Sequence, residues 1–160
     1  MTLDSSDTRS ATVRRSWALD LDVVTLYALL ALRGEVFVVE QEAAYADLDG
    51  RDLEPRTRHY WLTGRPTEHD PAPILGTLRL LKEPGGGYRI GRVCTRASAR
   101  GRGLGAQLMS AALAEVGSGP CVLDAQQRQV RFYERFGFTA TGPSYVDADG
   151  IPHVPMERRR

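Results

Sequence analysis

The period of apolar and polar positions changes several times along the chain, and each change marks an element. TVRRSWAL, residues 12–19, holds enough β-forming side chains for a first strand. Asp20 or Asp22 can cap a helix placed at about residues 22–34, where Val23, Leu26, Leu30 and Phe37 mark one face. EVFVVEQ, residues 35–41, suits a strand as well as a last helical turn, because its β-branched side chains are stiff at χ1. Residues 43–58 are polar and contain the turn signal Asp49-Gly50. HYWLTG and PILGTLRLLK then predict two strands across a loop holding Pro66, Pro71 and Pro73, and EPGGG makes a tight connection into a third, YRIGRVCT. From Gly103 the period becomes helical, with Leu104, Leu108, Ala112 and Val116 on one stripe that ends at GSGP. CVLDA predicts a short buried strand, QQRQVRFYERF a helix closed by Gly137, and HVPMERR a last strand.

Strands come first, then helix, strand, helix and strand, which predicts a mixed α/β (α+β) sheet with helices on its faces. At 160 residues the chain suits one domain that buries roughly two-thirds of its unfolded surface. The domain is expected over residues 12–160, after a loose polar tail over residues 1–11. That tail has no apolar run of the kind that directs export, and no later stretch is long enough to span a bilayer. With 42% hydrophobic residues, 26% charged residues and a net charge of +1, the composition gives no overall argument for nucleic acid or a membrane as partner. Cys94 and Cys121 sit in strand-like runs without metal-type spacing, so buried free thiols in a reducing, cytoplasmic setting are expected.

The stretch RGRGLGA, residues 100–106, carries the chemical signal. Glycines let a backbone approach a ligand or adopt positive φ, and a helix start offers unpaired N–H groups, a combination suited to phosphate. As a P-loop it fails, since no Gly-Lys-Ser/Thr comes after it. As a dinucleotide fingerprint, Gly101, Gly103 and Ala106 fit G-x-G-x-x-A with Asp124 as the ribose acid, but RASAR separates the glycines from the preceding strand. Too few residues remain after Asp124 to complete a doubly wound domain.

Arg100-Gly101-Arg102-Gly103-Leu104-Gly105 matches R-x-x-G-x-G and resembles the acyl-CoA pyrophosphate loop of the GCN5-related N-acetyltransferases, the GNAT superfamily. The order strand, polar link, glycine loop, helix, strand, helix ending in FYERFGF is similar to that superfamily's core. LRGEVFVVEQ, DLDGRD, AQ before FYERFGF, and DGIPHVPM resemble its ElaA-like branch, from about residue 22 to the end. One departure is Gln126, where many relatives carry Asn.

The resemblance implies the GNAT fold, a mixed and mostly antiparallel sheet, and an enzyme that moves an acetyl group from acetyl-CoA to an amine without a metal. It implies that Arg100, Gly101, Arg102, Gly103, Leu104, Gly105 and Ala106 hold the pyrophosphate. Backbone groups of Val93, Cys94 and Thr95 would receive the thioester and pantetheine, with Gln126 beside the pantetheine arm. Tyr133 aligns with the tyrosine that protonates the leaving sulfur in many relatives. Its alternative role is packing beside Phe132 and Phe136. Glu40, His59 and His153 are candidate bases for the ammonium proton, Glu40 and His153 ahead because they lie in the resembling segments.

Local charge adds two expectations. Between Glu83 and Glu115 there is no acidic residue, and Arg89, Arg92, Arg96, Arg100 and Arg102 fall inside, a set suited to the phosphates of coenzyme A. Over residues 34–55, Glu35, Glu40, Glu42, Asp47, Asp49, Asp52 and Glu54 face only Arg51, which would attract a cationic acceptor. The expected partners are therefore a coenzyme A thioester and an amine, neither nucleic acid nor membrane, with a homodimer left open. The rival classes are a non-catalytic acyl-CoA sensing module and, from LRGEVF, a relative of the acyl-homoserine-lactone synthases.

Overall fold

In the computed structural model, which describes residues 11–159, eight strands form one sheet. They are β1 (Thr12–Trp17), β2 (Arg58–Thr63), β3 (Ile74–Lys82), β4 (Tyr88–Thr95), β5 (Cys121–Gln126), β6 (Thr139–Ala140), β7 (Tyr145–Val146) and β8 (Pro152–Arg158). The order across the sheet is β1-β2-β3-β4-β5-β8-β6, with β7 also on β8. Only β4 and β5 pair in parallel; the other neighbours are antiparallel. Of the tail expected over residues 1–11, only Ala11 lies within the described residues.

Successive side chains of a strand point to opposite faces, and Tyr60, Trp61 and Leu62 of β2 show the consequence. Tyr60 and Leu62 join Leu78, Leu80 and Ile90 under helix α2 (Leu104–Val116), whose Leu104, Leu108, Met109, Ala112, Leu113 and Val116 are buried. Trp61 packs on the opposite face with Ile74 and Cys94, against Leu29, Leu32 and Val36. Each fully buried aliphatic side chain contributes roughly 1.5–3 kcal/mol. Truncating a central one such as Leu108 to Ala would therefore cost about 2–5 kcal/mol once the cavity is included.

Helix α1 (Val23–Arg33) begins where expected, with the Asp22 carboxylate accepting the Thr25 N–H at 2.8 Å. Its buried face is not the expected one. Val23 is 76% exposed, while Leu29, Leu32 and Val36 face the core. The EVFVVEQ stretch continues the helix as π-helical turns over Gly34–Glu40, and Leu29 and Val36 face the core at ordinary helical spacing, one position before the expected Leu30 and Phe37. Packing of Val36 against Leu29, Leu32 and Trp61 outweighs the β preference of its neighbours.

The last helix is also shorter than expected. Gln126 still belongs to β5, residues 127–129 form a 3-10 turn, and only Val130–Glu134 (α3) is α-helical before Gly137, at φ +88°, reverses the chain. The two-residue strands β6 and β7 lie in polar sequence with no strand period.

Two irregularities shape the middle of the sheet. Thr77 pairs with Cys94 but Arg79 with Gly91, so β4 carries an extra residue, and Arg92 takes a positive φ of 53° there. β4 meets β5 only at Tyr88–Cys121 and Arg89–Val122, while all of β5 pairs with β8 on its other side. Beyond Arg89 the two parallel strands part, and the β5-facing edge of β4 has no strand partner among the described residues.

The polar segment before β2 is pinned by a buried ionic cluster. Arg33, 2% exposed, reaches Asp47 at 2.9 Å and Asp52 at 2.5 Å. Arg79 reaches Asp49 at 2.6 Å and Asp52 at 3.1 Å, and Arg92 meets Asp47 at 2.8 Å.

Candidate active site

The parting of β4 and β5 opens a cleft of about 850 Å³. Gly91–Thr95 of β4 and Leu123, Asp124 and Gln126 of β5 form its sides; the glycine loop and α3 close one face, and the π-helical turns with the loop before β8 close the other. Val93, Cys94, Thr95, Arg100, Gly101, Gly103, Leu104, Gly105, Ala106, Gln126, Tyr133, Glu40 and His153 all line it. Arg102, His59 and, from the basic run, Arg96 do not.

Gly101 and Gly103 sit at φ +79° and +72°, and a Cβ at either would meet nothing within 4 Å. Glycine is needed there for backbone conformation, and the space beside it is open. Gly103 is the N-cap of α2 and supplies no side-chain cap, and Gln107, bonded to the Gly103 carbonyl at 3.1 Å, is the first residue paired in the helix. Among the described residues the N–H groups of Leu104, Gly105 and Ala106 thus have no partner at the cleft wall, where a helix start favours an anion.

The arginines behave differently from expectation. Arg89 pairs with Glu83 and Asp124, Arg92 with Asp47, Arg96 with Glu35 and Arg100 with Glu40, while Arg102 donates to the Ser98 carbonyl. Arg128 and Arg135 line the cleft without an ion pair among the described residues. Arg135 also lies 5.3 Å from the Phe132 ring centre. Their seven-residue spacing, which puts them on one side of a helix-like run, was the available signal.

The acidic run is likewise neutralised internally, a correction to its expected role. Glu35, Glu40, Asp47, Asp49, Asp52 and Glu54 each pair with an arginine, and only Glu42 has no ion pair among the described residues. Segment 34–55 therefore offers little free charge to steer a cation. The missed signal is Arg33 and Arg79 outside that window, both buried by the fold.

Three candidate bases meet different fates. His59 is buried at 1% exposure with Nε2 2.9 Å from the Asp52 carbonyl, and burial lowers its pKa. It belongs to the ionic cluster behind the sheet. The Glu40 carboxylate is held by Arg100 through bonds of 2.9 and 2.6 Å, which keep it below the usual carboxylate range. His153 lies in the cleft, opposite Gln126 in the β5–β8 register, with Nδ1 2.8 Å from the Ile151 carbonyl.

Gln126 exchanges amide bonds of 3.1 and 3.4 Å with Gln41 at the end of the π-helical turns. Tyr133 packs edge-on against Phe132 and Phe138, and its hydroxyl has no hydrogen-bond partner among the described residues. Burial, with the Cys94 sulfur nearby, pushes its pKa up, so the phenol stays protonated. Burial pushes the Cys94 thiol up to about 12 and the Cys121 thiol up to about 11, and neither is a ready nucleophile.

A sheet parted between two parallel strands, with a glycine loop and a bare helix N-terminus at the opening, defines a protein built around an acyl-CoA thioester. A family model described as Acetyltransferase (GNAT) domain matches residues 67–160. The UPF0039 protein Rv2851c of Mycobacterium tuberculosis is 52% identical over 149 residues, 91% of this chain and 92% of that protein. Protein ElaA of Escherichia coli is 39% identical over 148 residues, 87% of this chain and 90% of that one. The crystal structure of Escherichia coli ElaA superposes with a TM-score of 0.81, covering 93% of this chain and 99% of that chain. An acyl-CoA N-acyltransferase from Pseudomonas aeruginosa gives the same TM-score and the same coverage at 39% identity. The chain belongs to the GNAT superfamily and is ElaA-like. Membership makes it an N-acyltransferase by class, with an acyl-CoA donor and an amine acceptor.

Proposed function

We propose that the protein transfers an acetyl group from acetyl-CoA directly to an amine, with no covalent enzyme intermediate. The observation that carries this reading is the loss of pairing between β4 and β5 after Arg89–Val122, beside the unpaired amides of Leu104, Gly105 and Ala106. An extended pantetheine arm fits along the free edge of β4 as a strand would. The pyrophosphate then meets the helix start, and Arg128 and Arg135 are the guanidinium groups open to phosphate.

The donor supplies an activated thioester; the remaining work falls to this chain. Backbone N–H groups at the bulge near Val93 and Cys94 support the thioester oxygen as it gains charge. Gln126, oriented by Gln41, flanks the arm. Tyr133, protonated and without another partner, gives its proton to the departing sulfur. His153 takes the acceptor's proton, and Glu40 acts by holding Arg100 at the loop. Free, buried thiols at Cys94 and Cys121 support a reducing, cytoplasmic setting. Among the described residues no helix is long and apolar enough to cross a membrane.

The test is a thiol-release assay of acetyl-CoA against an amine library, with calorimetry of coenzyme A binding in parallel. Turnover with a primary amine supports the reading. Tight coenzyme A binding without turnover across the library would instead make the protein an acyl-CoA sensor.

A further inference from the structure

We propose that Asp149 and His153 together form the acceptor's ammonium site, so that the acceptor is a primary amine arriving as R–NH3+. The proposal rests on the acyltransferase reading and goes beyond it by naming the acceptor's charge state and the atoms that receive it.

The backbone of one residue, Ile151, fixes both groups. The Ile151 N–H donates to Asp149 Oδ1 at 2.8 Å, and the Ile151 carbonyl accepts from His153 Nδ1–H at 2.8 Å. When the imidazole is neutral, its bond to the Ile151 carbonyl puts the proton on Nδ1 and leaves Nε2 an acceptor, 3.8 Å from the other Asp149 oxygen, Oδ2. That separation is too long for a hydrogen bond and brings two acceptor atoms face to face. His153 is 8% exposed, its Nε2 has no hydrogen-bond partner among the described residues, and both side chains line the cleft.

A nitrogen carrying several hydrogens resolves this arrangement. Placed about 2.8–3.0 Å from each acceptor, it gives one N–H to Asp149 Oδ2 and one to His153 Nε2. Transfer of that second proton to Nε2 leaves a neutral amine with its lone pair free and an imidazolium beside the Asp149 carboxylate: R–NH3+ and imidazole become R–NH2 and imidazolium. A quaternary cation cannot make either bond. A neutral amide N–H can donate a hydrogen bond but is far too weak an acid to protonate the imidazole.

The surroundings leave this role to His153. On β7, Tyr145 stacks on its ring at 6.1 Å, and burial, then Asp124, pushes that phenol up to about 12. From β5 the facing residue is the neutral Gln126, and Asp124 beyond it is paired with Arg89 of β4 at 2.6 Å. Asp147 of the same turn accepts the Ala148 N–H at 2.7 Å. The paired carboxylates of segment 34–55 do not compete, so this turn carries the free negative charge at the acceptor face.

The experiment uses the whole chain, its imidazole resonances and n-butylammonium chloride as probe. The chain has 3 histidines, so loss of a signal in His153→Gln assigns His153. The signal should show the Nδ1–H tautomer and shift saturably with butylammonium but not with tetramethylammonium. Asp149→Asn, which keeps an oxygen for the Ile151 N–H, should weaken that binding on the order of tenfold or more, as expected for loss of a charge-assisted bond. With any amine turned over, His153→Gln should lower kcat/KM on the order of a hundredfold, the scale of general base catalysis. No saturable shift, or equal shifts with both cations, overturns the proposal. If coenzyme A binds by calorimetry while butylammonium does not, the ammonium site alone fails; if coenzyme A does not bind, the acyltransferase reading fails first.

Discussion

Arg100 grips Glu40 through two hydrogen bonds of 2.9 and 2.6 Å while also donating to the Thr95 carbonyl at 3.1 Å. A single guanidinium therefore ties the end of β4 and the glycine loop to the π-helical turns on the opposite wall. A carboxylate so engaged is held in its ionised form and is a poor proton acceptor near neutral pH. Glu40→Gln should lower kcat by no more than about threefold, the scale of a partly exposed ion pair, and should tighten coenzyme A binding by freeing Arg100. Steady-state kinetics and calorimetry read the two effects. A loss in kcat beyond about a hundredfold, the range of general base catalysis, would make Glu40 the base.

Gly103 faces open space but holds φ at +72°. Gly103→Ala tests conformation alone, and the left-handed region costs an L residue roughly 1–2 kcal/mol, a modest loss of stability. Gly103→Val adds a branched side chain where the phosphate would lie, and should sharply weaken acetyl-CoA binding while the far-UV spectrum stays native. Equal affinity of wild type and the Val variant would remove the phosphate assignment, and binding of NADH instead would revive the dinucleotide reading.

The α2 stripe is legible in the sequence because Leu104, Leu108, Ala112 and Val116 face one core at one period. The core face of α1 is not, since Leu29, Leu32 and Val36 keep helical spacing just as Val23, Leu26, Leu30 and Phe37 do, and packing against Trp61, Ile74 and Cys94 selects between the two stripes. The glycine loop is legible because backbone geometry restricts its residue types. The charge patterns mislead for one reason: a window of sequence counts charges within itself, whereas Arg33, Arg79 and Arg92 reach Asp47, Asp49 and Asp52 through the fold. Asp149 opens the resembling segment DGIPHVPM, but a role for it is not legible there because DADG reads as a turn and its approach to His153 depends on the backbone of Ile151.

Tyr133→Phe keeps the ring contacts with Phe132 and Phe138 and removes only the hydroxyl. That hydroxyl has no hydrogen-bond partner among the described residues, so its loss should leave stability and coenzyme A affinity unchanged. If it protonates the sulfur, kcat should fall on the order of tenfold to a thousandfold under conditions where chemistry limits the rate. An unchanged kcat would return Tyr133 to packing alone.

The buried cluster makes acid the condition under which the fold should fail. Burial by itself would raise the Asp52 carboxyl, but Arg33 and Arg79 override it and hold the group below its ordinary value, as Arg79 does for Asp49. Groups lowered in the folded state contribute stability above the unfolded value of about 3.9 and lose it as pH falls through the folded value. The melting temperature should therefore show no loss from these carboxylates between neutrality and about pH 5, and should drop steeply below about pH 4. Asp52→Asn leaves Arg33 and Arg79 buried with one fewer counter-charge, a change that costs about 3–5 kcal/mol when a buried pair is broken. For a domain of this size that is a fall on the order of 10 °C at neutral pH. The variant should also lose part of the acid sensitivity, because the proton that wild type must accept at residue 52 has no carboxylate to bind. Thermal melts of both proteins from pH 7 to pH 3 decide the matter. A wild-type melting temperature that stays level to pH 3, or an Asp52→Asn variant as stable as wild type at pH 7, would show that the cluster does not hold the segment before β2 in place.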